Sequence, residues 1–167
     1  MFKIKLVELV SGNPFKAFPS LRTIWEAKLN RQAERNTVKY LKNGERGVYL
    51  ILDDENNVIG LTGLFKLEKG SGRLGLRWHG LVPEARGKDY SNLVLNELCQ
   101  IAKILYPKKK YLVEYVPIET VNGLRIEKYF KSNGFEELEA PRDVETFEER
   151  MSFPKGTGLI LTLGRLI

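Results

Sequence analysis

A single cysteine, Cys99, in 167 residues excludes an internal disulfide. Its place four residues after Leu95 in a helical pattern makes it a small core residue rather than a nucleophile. No uninterrupted apolar run approaches the ~20 residues that span a bilayer. The N-terminal FKIKLVELV has neither the long apolar core nor the small-residue cleavage site of a signal peptide. These absences make the cytoplasm the expected compartment, with no membrane partner. Internal repeats, low-complexity tracts and linker composition are also missing, so residues 1–167 read as one domain. Histidine occurs once, as His79. The run Asp53-Asp54-Glu55-Asn56-Asn57 lacks the glycine and the distant glutamate of a calcium loop, and no metal is expected there.

What is present is a globular composition, 43% hydrophobic, on a chain long enough to bury a sizeable core. A formal net charge of +6 favours anionic partners, nucleic acid and acidic protein surfaces among them, without selecting one. Lys108-Lys109-Lys110 reads as a solvated turn before it reads as a nucleic-acid patch. Phe2, Ile4 and Leu6 alternate with lysines as in a first strand, broken at Asn13-Pro14. Leu21, Ile24, Trp25, Leu29, Ala33, Val38 and Leu41 keep a helical period, in one long helix or two short ones, with Ser20 as N-cap and Asn43-Gly44 as the stop. Val48 to Leu52 and Val58 to Leu67 are strands joined by hairpin chemistry. Lys69-Gly70-Ser71-Gly72 turns the chain into a fourth strand, Arg73 to Val82, and Tyr111 to Val116 is a fifth. A helix from Glu119 to Ser132, a sixth strand from Phe135, a charged loop through Arg142 to Arg150 and a last strand at Thr157 to Leu163 complete a mixed α/β order.

The most informative stretch is Arg77 to Leu105, which predicts a strand, a sharp turn and a helix. The apolar run through Leu81 and Val82 stops at Pro83, while Val94, Leu95, Leu98, Ile101, Ala102 and Leu105 recur at helical spacing. The intervening polar turn would set backbone N–H groups at the helix start, where unpaired donors and the positive end of the dipole suit a diphosphate. These residues resemble the acetyl-CoA motif of the GNAT family of N-acetyltransferases: Arg or Gln, two residues, Gly, one residue, then Gly or Ala, after a strand ending in a Val-x-Pro pattern. Leu81-Val82-Pro83 stands for the strand end, Arg86 for the first motif residue and Ser91 for the last. Asp89 occupies the place of the central glycine, putting a carboxylate where the backbone should approach the pyrophosphate.

The resemblance implies a GNAT-like fold, a mixed, mostly antiparallel sheet of six to seven strands flanked by helices. It also implies acetyl-CoA as acyl donor, held by Leu81, Val82, Arg86, Gly87, Lys88, Asp89, Tyr90, Ser91 and Asn92, and an amine on a small molecule or protein as acceptor. The region of Trp25 would help form the acceptor side, although a core tryptophan is the simpler reading. In the family a Glu or His on the fourth strand can take the acceptor's proton. His79 has the residue type and the strand for that work, with a hydrogen-bonded structural histidine as the competing reading. Alternation places Gly75, Arg77 and His79 on one face of that strand and Leu74, Leu76 and Trp78 on the other.

In the family an Asn opens the helix after the fifth strand and a Tyr near its end protonates the departing thiolate. Counting from Asn122 reaches Tyr129; counting back from Gly134 reaches Phe130. The second register points Ile126 and Tyr129 at the core, the first Arg125 and Lys128, which is the costlier burial. The expected activity is acetyl transfer to an amine by direct attack in a ternary complex. A GNAT-fold binding protein without chemistry and an enzyme acting on RNA-borne amines are the alternatives.

Overall fold

Why each segment takes its form is largely a matter of alternation and punctuation. The computed structural model describes residues 3–66, 72–117, 123–139 and 160–167. In chain order they form β1 (Ile4–Glu8), α1 (Pro14–Ala17), a 3-10 turn (Pro19–Thr23), α2 (Ala27–Lys42), β2 (Val48–Asp53), β3 (Val58–Phe65), β4 (Arg73–Leu76), β5 (Gly80–Leu81), a second 3-10 turn (Pro83–Ala85), α3 (Tyr90–Leu105), β6 (Tyr111–Pro117), α4 (Gly123–Ser132), β7 (Glu136–Leu138) and β8 (Ile160–Leu166). The order is mixed α/β, and each described pairing is antiparallel except that of β4 with β6. Asn122, the turn at 69–71 and the acidic loop residues Asp143, Glu145, Glu148 and Glu149 lie outside the described residues.

Two compact units divide the chain, residues 1–64 with 77–98 and residues 65–76 with 99–167. In the first, β1 pairs with β2 from Ile4↔Asp53 to Glu8↔Tyr49, β2 with β3 from Val48↔Gly63, and β3 with β5 through Gly60↔Leu81 and Leu61↔Gly80. The hairpin between β2 and β3 is closed by Asp53, whose Oδ1 accepts the N–H groups of Glu55 (3.0 Å) and Asn57 (2.9 Å). Asn56 takes the left-handed conformation that asparagine tolerates, at φ 63. The acidic run is therefore turn chemistry.

The helical stretch after β1 differs from the expected one. Asn13 is an N-cap, its Oδ1 accepting from Phe15 and Lys16, and Pro14 fills the first helical position. Ser20 does not cap; it lies inside the 3-10 turn, where its carbonyl accepts the Thr23 hydroxyl (2.6 Å). Helix α2 ends as its sequence indicates, with Asn43 at the C-cap and Gly44 at φ 76.

The expected fourth strand is also two strands. Between β4 and β5 the chain breaks at Trp78, which has φ 46 and sets its indole edge-on to Trp25 at 5.4 Å between centroids. Alternation through Arg73 to Val82 is lost at that residue, so the two expected faces do not carry across it.

In the second unit β4 pairs with β6, β6 with β8 and β8 with β7, giving the order β4-β6-β8-β7. Residues directly opposite share a face. Tyr111, Val113 and Tyr115 therefore lie on one side of β6, where Val113 and Tyr115 join Phe65 in a core cluster with Tyr111 and Leu138 packed against it. Leu112, Glu114 and Val116 lie on the other side with Leu161, Leu163 and Arg165 of β8. A Cβ on Gly75 would meet the Phe65 ring at 2.5 Å, so only glycine lets that ring lie over β4. The last strand extends to Leu166, beyond the expected Leu163, because β6 pairs with it along its whole length.

Candidate active site

The loop that opens α3 is braced from within the first unit. Val82 N–H donates to the Ile59 carbonyl (2.8 Å), Ala85 to Val82 (3.0 Å) and Arg86 to Pro83 (3.2 Å). The Arg86 guanidinium turns back on its own unit, with Nε donating to the Leu81 carbonyl (3.2 Å) and Nη2 to that of Ile24 (2.6 Å). Its side chain is thus a brace, and a ligand would meet backbone from Gly87 onward. Gly87 (φ 74) and Asp89 (φ 60) are both left-handed. Aspartate is among the few residues besides glycine that visit this region, which is how Asp89 stands in a glycine's place. The side chains of Lys88, Asp89 and Asn92 are exposed, Ser91 is half-buried, and Tyr90, the first residue of α3, is buried. Desolvation, then the charges of Asp53, Asp54 and Glu55, push the Tyr90 phenol up from its ordinary value.

The anchor for Arg86 is itself organised by a buried asparagine that sequence reasoning did not single out. Asn30 accepts the Trp25 N–H at Oδ1 (2.9 Å) and donates from Nδ2 to the carbonyls of Arg22 and Trp25, both at 2.5 Å. This fixes the turn at 22–25, and with it the Ile24 carbonyl that receives Arg86. Gly80 lies against the same turn: a Cβ there would meet Ile24 Cγ2 at 2.5 Å.

His79 follows the break at Trp78. Its Nδ1 lies 2.9 Å from Oγ1 of Thr62, a fully buried threonine on β3. Burial pushes the ring down to about 4, so it is neutral over the whole neutral range. A neutral imidazole can accept a hydrogen bond. As a base it is weak: moving a proton to it from an ammonium near ~10.4 is uphill by roughly six decades. Leu81 and Val82, on either side of the end of β5, are both buried.

The second unit holds a fork and a carboxyl of its own. Parallel pairing of β4 with β6 runs through Arg73↔Tyr111, Leu74↔Leu112 and Gly75↔Val113 and stops there, although β6 continues to Pro117 on its other edge with β8. From Glu114 onward the edge of β6 toward β4 has no strand partner among the described residues. Glu114 is half-buried, on the face it shares with Leu112, Val116, Leu161 and Leu163, each of them buried. Desolvation pushes its carboxyl up to about 8, opposed only by the Tyr115 backbone N–H. The sequence carried a signal for it, a lone carboxylate inside the apolar run YLVEYV.

On α4 the two aromatic candidates part company. Phe130 is buried and packs edge-on against Phe135 (5.0 Å between centroids) and Tyr129 (4.9 Å), while Tyr129 is half-buried and Lys128 exposed. The lysine cluster gains a neighbour: Lys108, Lys109 and Lys110 line a cavity of about 680 Å³ with Lys66, whose Nζ lies 4.9 Å from the Tyr106 ring centroid. No described helix is long and apolar enough to cross a membrane.

An acetyltransferase of the GNAT family from Staphylococcus aureus superposes with a TM-score of 0.62 over 98% of this chain and 98% of its own, at 16% identity. The chain has the GNAT fold. A chimera of the Vibrio cholerae spermidine N-acetyltransferase SpeG and hSSAT matches with a TM-score of 0.61 at 18% identity, over 96% of this chain and 95% of its own. N-acetylglutamate synthase from Neisseria gonorrhoeae, in complex with coenzyme A and N-acetyl-glutamate, matches 97% of this chain at 14% identity and a TM-score of 0.62, over 35% of its own length. No family model and no curated protein sequence matches the chain. At such identities the shared property is the GNAT fold, and activity has to be argued from the residues.

Proposed function

We propose that residues 1–167 form one acetyltransferase domain that moves an acetyl group from acetyl-CoA to an amine by direct attack in a ternary complex. The observation that carries this reading is the braced turn from Pro83 to Tyr90, which delivers exposed backbone in two left-handed steps to the start of a 16-residue helix. Such a helix start favours a diphosphate through unpaired N–H donors and the positive end of the dipole. In this reading Gly87, Lys88, Asp89, Tyr90, Ser91 and Asn92 hold the donor's phosphates through backbone, with Arg86 as brace. Leu81 and Val82, at the end of β5, offer strand-like hydrogen bonds to its arm. Neutral His79 accepts a hydrogen bond from the acceptor amine and leaves most of the proton removal to solvent. Tyr129 on α4 is the phenol that protonates the departing thiolate in this reading. Oriented binding and backbone polarisation of the thioester carbonyl supply most of the acceleration. Two of the fold's neighbours carry amine-acetylating names, spermidine N-acetyltransferase and N-acetylglutamate synthase, and the second was crystallised with coenzyme A.

The deciding experiment is thermal unfolding with acetyl-CoA, coenzyme A and a plain adenine nucleotide, followed by turnover on an amine panel. A ligand at ~100 times its dissociation constant adds about 2.7 kcal/mol, and a rise of several degrees confined to the coenzymes is expected. Coenzyme binding without turnover on any amine would favour a second reading, a GNAT-fold binding protein, which the exposed Asp89 carboxylate on the turn also motivates.

A further inference from the structure

We propose that the basic cavity of the second unit binds a compact polyphosphate, either inorganic or the phosphate chain of a nucleotide. The inference does not depend on the acyltransferase reading, because every residue lining the cavity belongs to residues 65–76 or 99–167 and none to the turn at Pro83 to Tyr90. Three observations carry it. The first is shape: the cavity holds about 680 Å³, within the ~300 to 1,000 Å³ of small-molecule sites. The second is charge. Lys108, Lys109 and Lys110 reach it from the turn before β6 and Lys66 from just beyond β3, and no carboxylate lines it. Lys66, Lys108 and Lys110 are exposed and pair with no carboxylate among the described residues.

The third is order. The Lys109 N–H donates to the Tyr106 carbonyl (3.0 Å), and the N–H groups of Lys110 and Tyr111 both donate to the Gly72 carbonyl (2.7 and 3.0 Å). The Lys110 carbonyl in turn accepts the Ile167 N–H (2.9 Å). The lysine turn is thereby tied to the start of β4 and to the residue after β8. Tyr106 gathers the fourth cation, with Lys66 Nζ 4.9 Å from its ring centroid. Four ammonium groups are thus brought to one concavity by backbone and ring contacts, and an anion entering it would relieve their mutual repulsion.

Two simpler roles do not account for the cluster. Cations just past Leu105 complement the negative end of α3, but that end carries about half a charge, which one lysine offsets. A solvated turn explains Lys108 and Lys110 and leaves unexplained why Lys66, from another strand, joins them over the Tyr106 ring. A nucleic-acid strand would call for cations spread along a groove with aromatic rings open for stacking, whereas here the cations surround one concavity and one of them covers the ring. Phosphate oxygens suit lysine, which meets them as a point charge without a fixed geometry. A short phosphate chain supplies opposite charge of matching size in a matching volume.

The test is calorimetric titration of the full chain with inorganic tripolyphosphate, adenosine triphosphate and a short oligouridylate at about 50 mM salt, repeated in saturating coenzyme A. The expected result is tripolyphosphate binding at a single site, undisturbed by coenzyme A and weakened roughly tenfold on raising the salt to about 200 mM. The double variant Lys108→Gln with Lys110→Gln should lose about tenfold or more in affinity, and Lys66→Gln about threefold. As a control of equal charge change, Lys28→Gln with Lys39→Gln removes two exposed lysines from α2 and should bind as wild type does. Equal affinity for tripolyphosphate and the nucleotide would identify the phosphate chain alone as the ligand, and tighter binding of the nucleotide would identify the nucleotide. The proposal is overturned by an absence of tripolyphosphate binding, by an equal loss in the α2 control, by displacement with coenzyme A, or by binding of the oligouridylate alone.

Discussion

Replacing Glu114 with glutamine reports on folding through a pH dependence that needs no substrate. Burial pushes the carboxyl from its ordinary 4.5 up to about 8 in the folded chain. Between those values the native state keeps a proton that the unfolded chain has released. Stability from this group is therefore fully present below about 4.5 and is lost as pH rises through 8. At ~1.36 kcal/mol per unit the whole shift is a ceiling of roughly 5 kcal/mol, and water reaching a half-buried side chain reduces it to about 2. A protein of this size moves its Tm by about 2 to 4 °C per kcal/mol, so wild type should lose some ~4 to 8 °C more than Glu114→Gln between about pH 5 and 9. Thermal unfolding of both proteins in matched buffers reads the difference. His79 acts in the opposite sense, its contribution being present above 6.5 and lost as pH falls through about 4, but it is common to both proteins and cancels. Two Tm curves that stay parallel across the range would refute the burial of Glu114 as its pKa is explained here.

Three further substitutions probe the turn before α3, the asparagine that supports it, and the packing of the second unit. Asp89→Gly removes an exposed like charge and a left-handed side chain from the turn; coenzyme A affinity by calorimetry should rise by about two- to fivefold, more at low salt, and no gain would mean that the carboxylate lies away from the phosphates. Asn30→Ala leaves the Trp25 N–H and two carbonyls of the 22–25 turn without their partner and should cost about 1 to 3 kcal/mol in denaturant unfolding. Coenzyme affinity should fall with it, because the Ile24 carbonyl that braces Arg86 belongs to that turn. Gly75→Ala should cost roughly 1 to 3 kcal/mol by forcing the Phe65 ring off β4, and a neutral result would show that the ring can yield.

The contrast between what the sequence displayed and what it concealed follows the range of the causes involved. The β2–β3 hairpin was legible because Asp53 and Asn56 act on their own neighbours. The turn at Pro83 to Tyr90 was legible for the same reason. The helix cap is local too: Asn13-Pro14 breaks the first strand and, because Asn followed by Pro is also how a helix starts, opens α1. Trp78 was not legible. Ten residues from Arg73 to Val82 alternate well enough for one strand, and the left-handed step depends on an indole packing against Trp25, some fifty residues earlier.

Glu114 and His79 show how the same distinction governs chemistry. Residue type pointed to histidine, whose unperturbed pKa suits a base. The fold places that ring against Thr62 and pushes it to about 4, while a glutamate whose type suggested an ionised carboxylate is held at about 8. Both shifts come from desolvation in the folded chain. A sequence can nominate ionisable groups, but burial decides which is acid and which is neutral. In this chain burial pushes the histidine down to about 4 and the glutamate up to about 8. A stability profile that falls as pH rises toward 8, from Glu114, and as pH falls toward 4, from His79, would detect both shifts.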